Sequence, residues 1–384
     1  MNRRFTLLVS AVCVTVLLIA LACLAGNLLS SLPLFAERWA SQPDWSSDSE
    51  KIVFTCHYPS LPQVWEDRGK ELFQWGYIPD ATEICVMDMD SGGLVRLTDN
   101  SVSDTSPAWS PSGQLIAYET EAGEGNTIAI VERDGTLVET FTTNLDILST
   151  QDLVWSPDGK RICFAARDSL QHDQGINLYL ADLEREVVDP LTTLPGDELE
   201  CQWSPDETQV AFVSYPTGFK WLLSEEAIVQ TIDEEKLNTV VEGFAGIGDL
   251  SWSPDGTQMA FWAYPSPDCA YDCAGIYVVN LGDGLTECLA VQHKVSVLFE
   301  VAWSPDGKQI AFTGQSSAGP GIYTVTPDGK DLLRVAPLFA TSDHSLAWSP
   351  DQESVVFVHG AEGDTHEIWL VHTETGALKK LDIP

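Results

Sequence analysis

Four carboxylates occupy one repeating position in this sequence. Asp152, Glu200, Asp249 and Glu300 each stand three residues before a tryptophan: Trp155, Trp203, Trp252 and Trp303. Three more tryptophans, Trp45, Trp109 and Trp348, have Gln42, Ser106 and Ser345 at that place. If these segments are arranged round one axis, the four acids ring one mouth of a central channel. Such a mouth would attract a cation, an amine or a basic peptide segment. Two carboxylates in unequal environments, about 5–10 Å apart, would also permit acid–base chemistry on a glycan or peptide. The competing reading is local: each acid caps a backbone NH at the start of a strand and is solvated.

Other chemistry is sparse. The seven histidines, His57, His172, His293, His344, His359, His366 and His372, are scattered without metal-ligand spacing. His359 and His366 flank a loop holding Glu362 and Asp364, a weak metal pattern. Asp88-Met89-Asp90-Ser91-Gly92 lacks the further acids of a calcium loop. Gly314-Gln315-Ser316-Ser317-Ala318-Gly319 has the wrong spacing for a serine-hydrolase elbow. Nothing here calls for a cofactor or assigns a catalytic residue. Cys269 and Cys273 share a short loop and fit a local disulfide outside the cytoplasm. Cys163, Cys201 and Cys288 fall in predicted strands and read as buried thiols. Cys56 and Cys85 lie on neighbouring strands, and their pairing depends on register.

The elements that must position these residues are legible in the repeat. Trp303-Ser304-Pro305-Asp306-Gly307, followed by Ile310-Ala311-Phe312, recurs with small changes seven times, the tryptophans 64, 46, 48, 49, 51 and 45 residues apart. Ser-Pro-Asp-Gly suits a type I turn, with proline pre-setting φ and glycine at the exit. Apolar runs on both sides make the unit strand, turn, strand. Each period then holds two more strands, as at Ile322–Val325 and Leu332–Val335. Blade four departs most, its third strand expected at Ala227–Ile232. The period matches propeller blades, and the first interval becomes regular if 57–77 is an insertion. The expected fold is an all-β, seven-bladed propeller of four-stranded antiparallel blades over 43–384. Blade one begins at Pro43 and blade seven is complete at its own end, so closure should rest on face packing between them. The recurring tryptophan reads as packing between blades.

Trp-Ser-Pro-Asp-Gly, then Ile-Ala-Phe, then Ile-Tyr and an Asp-Gly turn, resembles the TolB-type, WD40-like β-propeller repeat. The match is close at Trp155–Lys160, Trp252–Gly256 and Trp303–Lys308, and looser at Trp45 and Trp109. The resemblance implies a fold rather than a function, since this repeat serves binding proteins, peptidase lids and many surface proteins. TolB carries an extra N-terminal domain and six blades, so its partner is not carried over.

Topology divides the disc into two faces. The one-to-two and three-to-four turns lie on one, short and regular. The two-to-three loops and blade links lie on the other, which carries the irregular segments. Insertions 57–77 and 216–226 bring Tyr58, Trp65, Phe73 and Trp75, then Phe219 and Trp221, to that face. These aromatics and the four acids are the expected binding residues, although such side chains also form local cores.

Charge and the N-terminus set the compartment. The net charge of −37 and absence of a basic groove exclude nucleic acid and an anionic membrane surface as partners. Phe5–Gly26 is an uncharged run after Arg3-Arg4, enough helix for about 33 Å. An uncleaved anchor fits its length best, with a lipoprotein signal ending at Cys23 and a cleaved signal as alternatives. Segment 1–26 is therefore expected as anchor or signal helix and 27–42 as a tether with a short helix over Phe35–Ala40. The propeller is expected outside the cytoplasm as a non-enzymatic module for a protein or peptide. A hydrolase or lyase acting on glycan or peptide through the acidic mouth is the alternative.

Overall fold

The computed structural model describes residues 39–57, 81–121, 126–148, 153–168, 175–215, 225–232, 236–244, 246–264, 275–289, 295–338, 344–360 and 366–381. These form seven antiparallel sheets, each made from strands consecutive in the chain. Six have four strands in simple meander order. Blade three has a fifth because two pieces, Leu145–Ile147 and Val154–Trp155, pair with the same strand, Arg161–Asp168. The architecture is a seven-bladed β-propeller. The expected N-terminal helix over 1–26 lies outside the described residues, within which no helix is long and apolar enough to cross a membrane.

The motif turns form as their chemistry requires. In blade three Gly159 N donates to Ser156 O at 2.8 Å, closing the turn, and Gly159 has φ of 69°. The Ser156 hydroxyl donates to Asp158 Oδ1 at 2.6 Å and accepts from Arg161 N at 2.9 Å, tying the turn to the strand that follows. The same set recurs at Ser253 and Ser304. Where glycine is missing, Glu207 and Gln352 adopt φ of 66° and 70°, a left-handed conformation costly for a side chain.

Burial lies between the blades. The second strands are apolar on both faces, and Phe54, Phe164, Phe212, Phe261, Phe312 and Phe357 are fully buried. Each hydrophobic cluster spans two adjacent sheets. The seam between first and last blades is one of these: Trp45, Ile52 and Phe54 pack against Val356, Ile368 and Leu370. Ser49 Oγ accepts from Asp351 N across that seam at 3.0 Å. Among the described residues closure therefore rests on face packing, with each sheet made of its own consecutive strands.

Three local readings change. The first strand is Trp39–Trp45, so blade one starts before Pro43 and Trp39–Ala40 is strand rather than helix. Blade four's third strand is Glu225–Thr231, two residues earlier than its apolar residues suggest. Cys163 and Cys201 are not thiols: they form a disulfide joining blades three and four, with Cα atoms 6.3 Å apart. Pairing across a blade seam is invisible in a strand pattern. Cys56 and Cys85 also bond, within blade one, and Cys288 is a half-buried free thiol.

Candidate functional site

The described residues three before a motif tryptophan share one unusual backbone state. Gln42, Ser106, Glu200, Asp249, Glu300 and Ser345 all have positive φ, between 51° and 61°. Each lies in an innermost strand at a register shift, where the bulged strand opposes its neighbour with extra residues. Bulges of this kind bend a strand and re-aim its side chains. The strands begin well before these positions: Asp197 precedes Glu200, Gly246 precedes Asp249 and Ser296 precedes Glu300. These three acids are thus mid-strand, not at strand starts as their spacing suggested. A position that any of four residue types fills at this backbone cost is held by its surroundings.

What holds it is the next blade. Asp249 Oδ2 accepts from Glu300 N at 2.5 Å, and Glu300 Oε2 accepts from Leu346 N at 3.3 Å. Gln42 Oε1 accepts from Ser106 N at 3.1 Å, while its amide donates to Ser106 Oγ at 3.1 Å. In these three places the bulged side chain reaches the bulge region of the following blade and satisfies a backbone NH there. Asp249 and Glu300 do cap a backbone NH, but from mid-strand and on the neighbouring blade.

A second ring lies below it. Trp155, Trp203, Trp252 and Trp348 donate their indole NH to the carbonyls of Ala108, Val154, Gln202 and Ala302 in the preceding blade, at 3.0–3.2 Å. In two blades a side chain of the preceding blade instead holds the tryptophan's backbone NH. Asp44 Oδ2 accepts Trp109 N at 2.7 Å and Ser251 Oγ accepts Trp303 N at 2.9 Å, and the indole NH of Trp109 and of Trp303 is buried without a hydrogen bond. Arg161 stacks over Trp203, 4.7 Å from its ring centre. The tryptophans are blade-to-blade packing, as their recurrence implies.

A channel cavity of about 370 Å³ lies among the innermost strands of blades one, two, three, six and seven. Pro43, Trp45, Pro107, Trp109, Trp155 and Leu346 supply its apolar wall, Gln42, Ser110 and Ser345 its polar groups, and Asp44 and Glu300 its carboxylates. Ser47, Ser110 and Pro111 of the motif turns also line it, so it lies toward the regular face. Among the described residues no group of three or more His, Cys, Asp or Glu could hold a metal ion. Asp152 lies outside the described residues. So do Tyr58, Trp65, Phe73, Trp75, Phe219, Trp221, Cys269 and Cys273.

Sequence reasoning missed a different set of acids. Glu198 and Glu119 are almost fully buried at the two seams that flank blade three, each with one oxygen lacking a hydrogen bond. Burial pushes the Glu198 carboxyl up to about 7, with Asp197 adding to it and a bond from the Thr192 hydroxyl opposing. Burial also raises Glu119 to about 7, helped by Glu121 and Asp146. Asp104 is raised by burial as well, against hydrogen bonds from Thr120, Thr98 and Asn100. Asp104 and Glu198 both stand five residues before a motif tryptophan, a spacing that could have flagged them.

No protein-family model matches the chain. It is 29% identical over 174 residues to an uncharacterized protein, Atu1656, of Agrobacterium fabrum, covering 42% of this chain and 57% of that one. It is 23% identical over 307 residues to dipeptidyl-peptidase 5 of Porphyromonas gingivalis, covering 78% of this chain and 43% of the peptidase. The matches thus span little more than half, or less, of the length of these curated relatives. Among solved structures, TolB from Acinetobacter baumannii superposes with a TM-score of 0.51 at 17% identity, over 86% of this chain and 63% of that one. The chain folds as a TolB-like β-propeller. The propeller domain of the Trilobed protease from Pyrococcus furiosus, described as having an open velcro topology, matches with a TM-score of 0.61 at 12% identity, over 90% and 98% of the two chains. An oligogalacturonate lyase solved with manganese gives 0.63 at 14% identity, over 88% and 91%. At such identities the likeness of this TolB-like propeller to binding protein, peptidase and lyase alike concerns its fold.

Proposed function

We propose that this TolB-like propeller is a non-enzymatic binding or scaffold module outside the cytoplasm, and that its partner is a protein or peptide. One observation carries the reading. Among the described residues, the two carboxylates that line the channel cavity are already used: Asp44 accepts from Trp45 N and Trp109 N, and Glu300 accepts from Leu346 N. A general acid or base needs a proton-exchanging oxygen aimed at substrate, in a partner pair whose environments differ. Here the channel carboxylates serve as hydrogen-bond acceptors within the wall. Binding needs only an apolar surface with a polar rim.

Compartment follows from covalent chemistry. Two disulfides in one domain favour an oxidising environment. The uncharged run Phe5–Gly26 behind Arg3-Arg4 supplies a membrane anchor with the N-terminus inside. The partner is placed on the face opposite the motif turns, where 57–77 and 216–226 depart from the repeat, with Tyr58, Trp65, Phe73, Trp75, Phe219 and Trp221 as contact residues. Cross-linking followed by pull-down, on the anchored chain and on a variant lacking residues 58–76, tests this. The variant should lose the partner; equal recovery from both refutes the role given to that face.

A further inference from the structure

The outermost strand of each blade has a free edge, and sheet proteins guard such edges with short length, charge, proline or a bulge. Three outer strands, Leu94–Arg96, Thr286–Cys288 and Leu378–Lys380, have only three residues. Val187–Pro190 has four and ends in proline. Leu332–Pro337 carries Arg334 and Pro337, and Lys236–Phe244 carries Lys236, Glu242 and register shifts. Blade two differs. Its outer strand, Leu137–Thr142, runs six residues with no proline, no lysine and no arginine, and Glu139 is its one charge.

That edge is poised in a particular way. A register shift at its start leaves both Leu137 and Val138 turned outward, 60% and 50% exposed. Thr140 N donates to Glu139 Oε1 at 3.2 Å instead of to the neighbouring strand. The Glu139 carboxylate is therefore folded over an outward-facing edge donor, standing where a further strand would place a carbonyl. Beside this edge a groove of about 420 Å³ runs between blades two and three, lined by Thr140, Thr142, Leu145, Tyr179, Val188 and Glu186.

We propose that this edge and groove receive an extended, basic segment of another protein as a fifth strand of blade two. In such strand addition main-chain bonds supply affinity, and pockets for alternate side chains supply specificity. The incoming carbonyl takes the Thr140 NH. The displaced Glu139 carboxylate pairs with a lysine or arginine of the segment, and apolar side chains two apart enter the groove against Tyr179 and Val188. Charge selects this occupant. Glu186 lines the groove, Glu139 precedes its lining residue Thr140, the chain carries −37 overall, and Arg185 in the adjoining turn is taken up by Asp189 at 3.0 Å.

The probe is a fluorescein-labelled peptide of about ten residues alternating valine or threonine with lysine, titrated by anisotropy against the full chain. It should bind, and protect residues 139–142 from hydrogen exchange. N-methylation at alternate backbone nitrogens should weaken it about tenfold or more, and so should Glu139→Lys. A peptide with glutamate in place of lysine should bind Glu139→Lys better than the parent. Deletion of 58–76 should leave this binding unchanged, which separates it from the insertion-bearing face. No binding at millimolar peptide, or binding indifferent to N-methylation and to Glu139→Lys, overturns the proposal. Concentration-dependent dimerisation lost in Glu139→Lys would also overturn it, assigning the edge to a second copy.

Discussion

Replacing Glu198 by glutamine should stabilise the propeller at pH 8 and leave it unchanged near pH 4. The side chain is fully buried, with Oε1 unbonded and Oε2 accepting from Thr192 Oγ1 at 3.3 Å. Burial raises its carboxyl from 4.5 to about 7. Between those values the folded chain binds a proton that the unfolded chain has released. The protonated folded form contributes its stability fully below the unfolded value, and that contribution is lost as pH rises through about 7. The full shift corresponds to at most about 3 kcal/mol. Allowing for solvent screening at the seam reduces it to about 1–2 kcal/mol. Glutamine keeps the shape and the acceptor for Thr192, cannot ionise, and removes the pH-dependent loss. Urea unfolding at pH 4, 6 and 8 measures this. The parent should weaken progressively across that range, and Glu198→Gln should flatten the profile, with a gain confined to the upper end. Destabilisation of the variant that is larger at pH 8 than at pH 4 would show that an ionised, satisfied carboxylate stabilises the seam, and the reasoning would fail.

The blade seams give further expectations. Cys163–Cys201 closes a loop of 38 residues across blades three and four, worth about 4 kcal/mol by loop-closure entropy; paired Cys163→Ala and Cys201→Ala should lower the urea midpoint accordingly, and reductant should weaken the parent more than the variant, which keeps only Cys56–Cys85 to lose. Trp155 donates its indole NH to Ala108 O, whereas that of Trp109 has no hydrogen bond. Trp155→Phe should therefore cost about 1 kcal/mol more than Trp109→Phe in the same assay.

The outcome at Glu300 shows how much of the site was legible. Its spacing from Trp303 revealed a repeated acid, and the repeat gave the ring on which it would sit. The sequence could not reveal that the residue is bulged at φ 60°, because register depends on the partner strand, nor that its carboxylate is taken by Leu346 N of the next blade. Glu139 is a similar case. It reads as an ordinary surface acid until the edge NH beneath it is seen.

Local chemistry alone settled the repeat. Ser-Pro-Asp-Gly makes its turn from its own atoms, alternating apolar residues make strands, and a fixed period counts seven blades, since each of these is encoded within a few residues. Tertiary structure alone decided what crosses a seam: the Cys163–Cys201 bond, the buried Glu119 and Glu198, the chain of bulges round the channel and the free edge of blade two. Those features join residues separated by tens of positions, and burial, the cause of the raised carboxyls, exists only once blades are packed face to face.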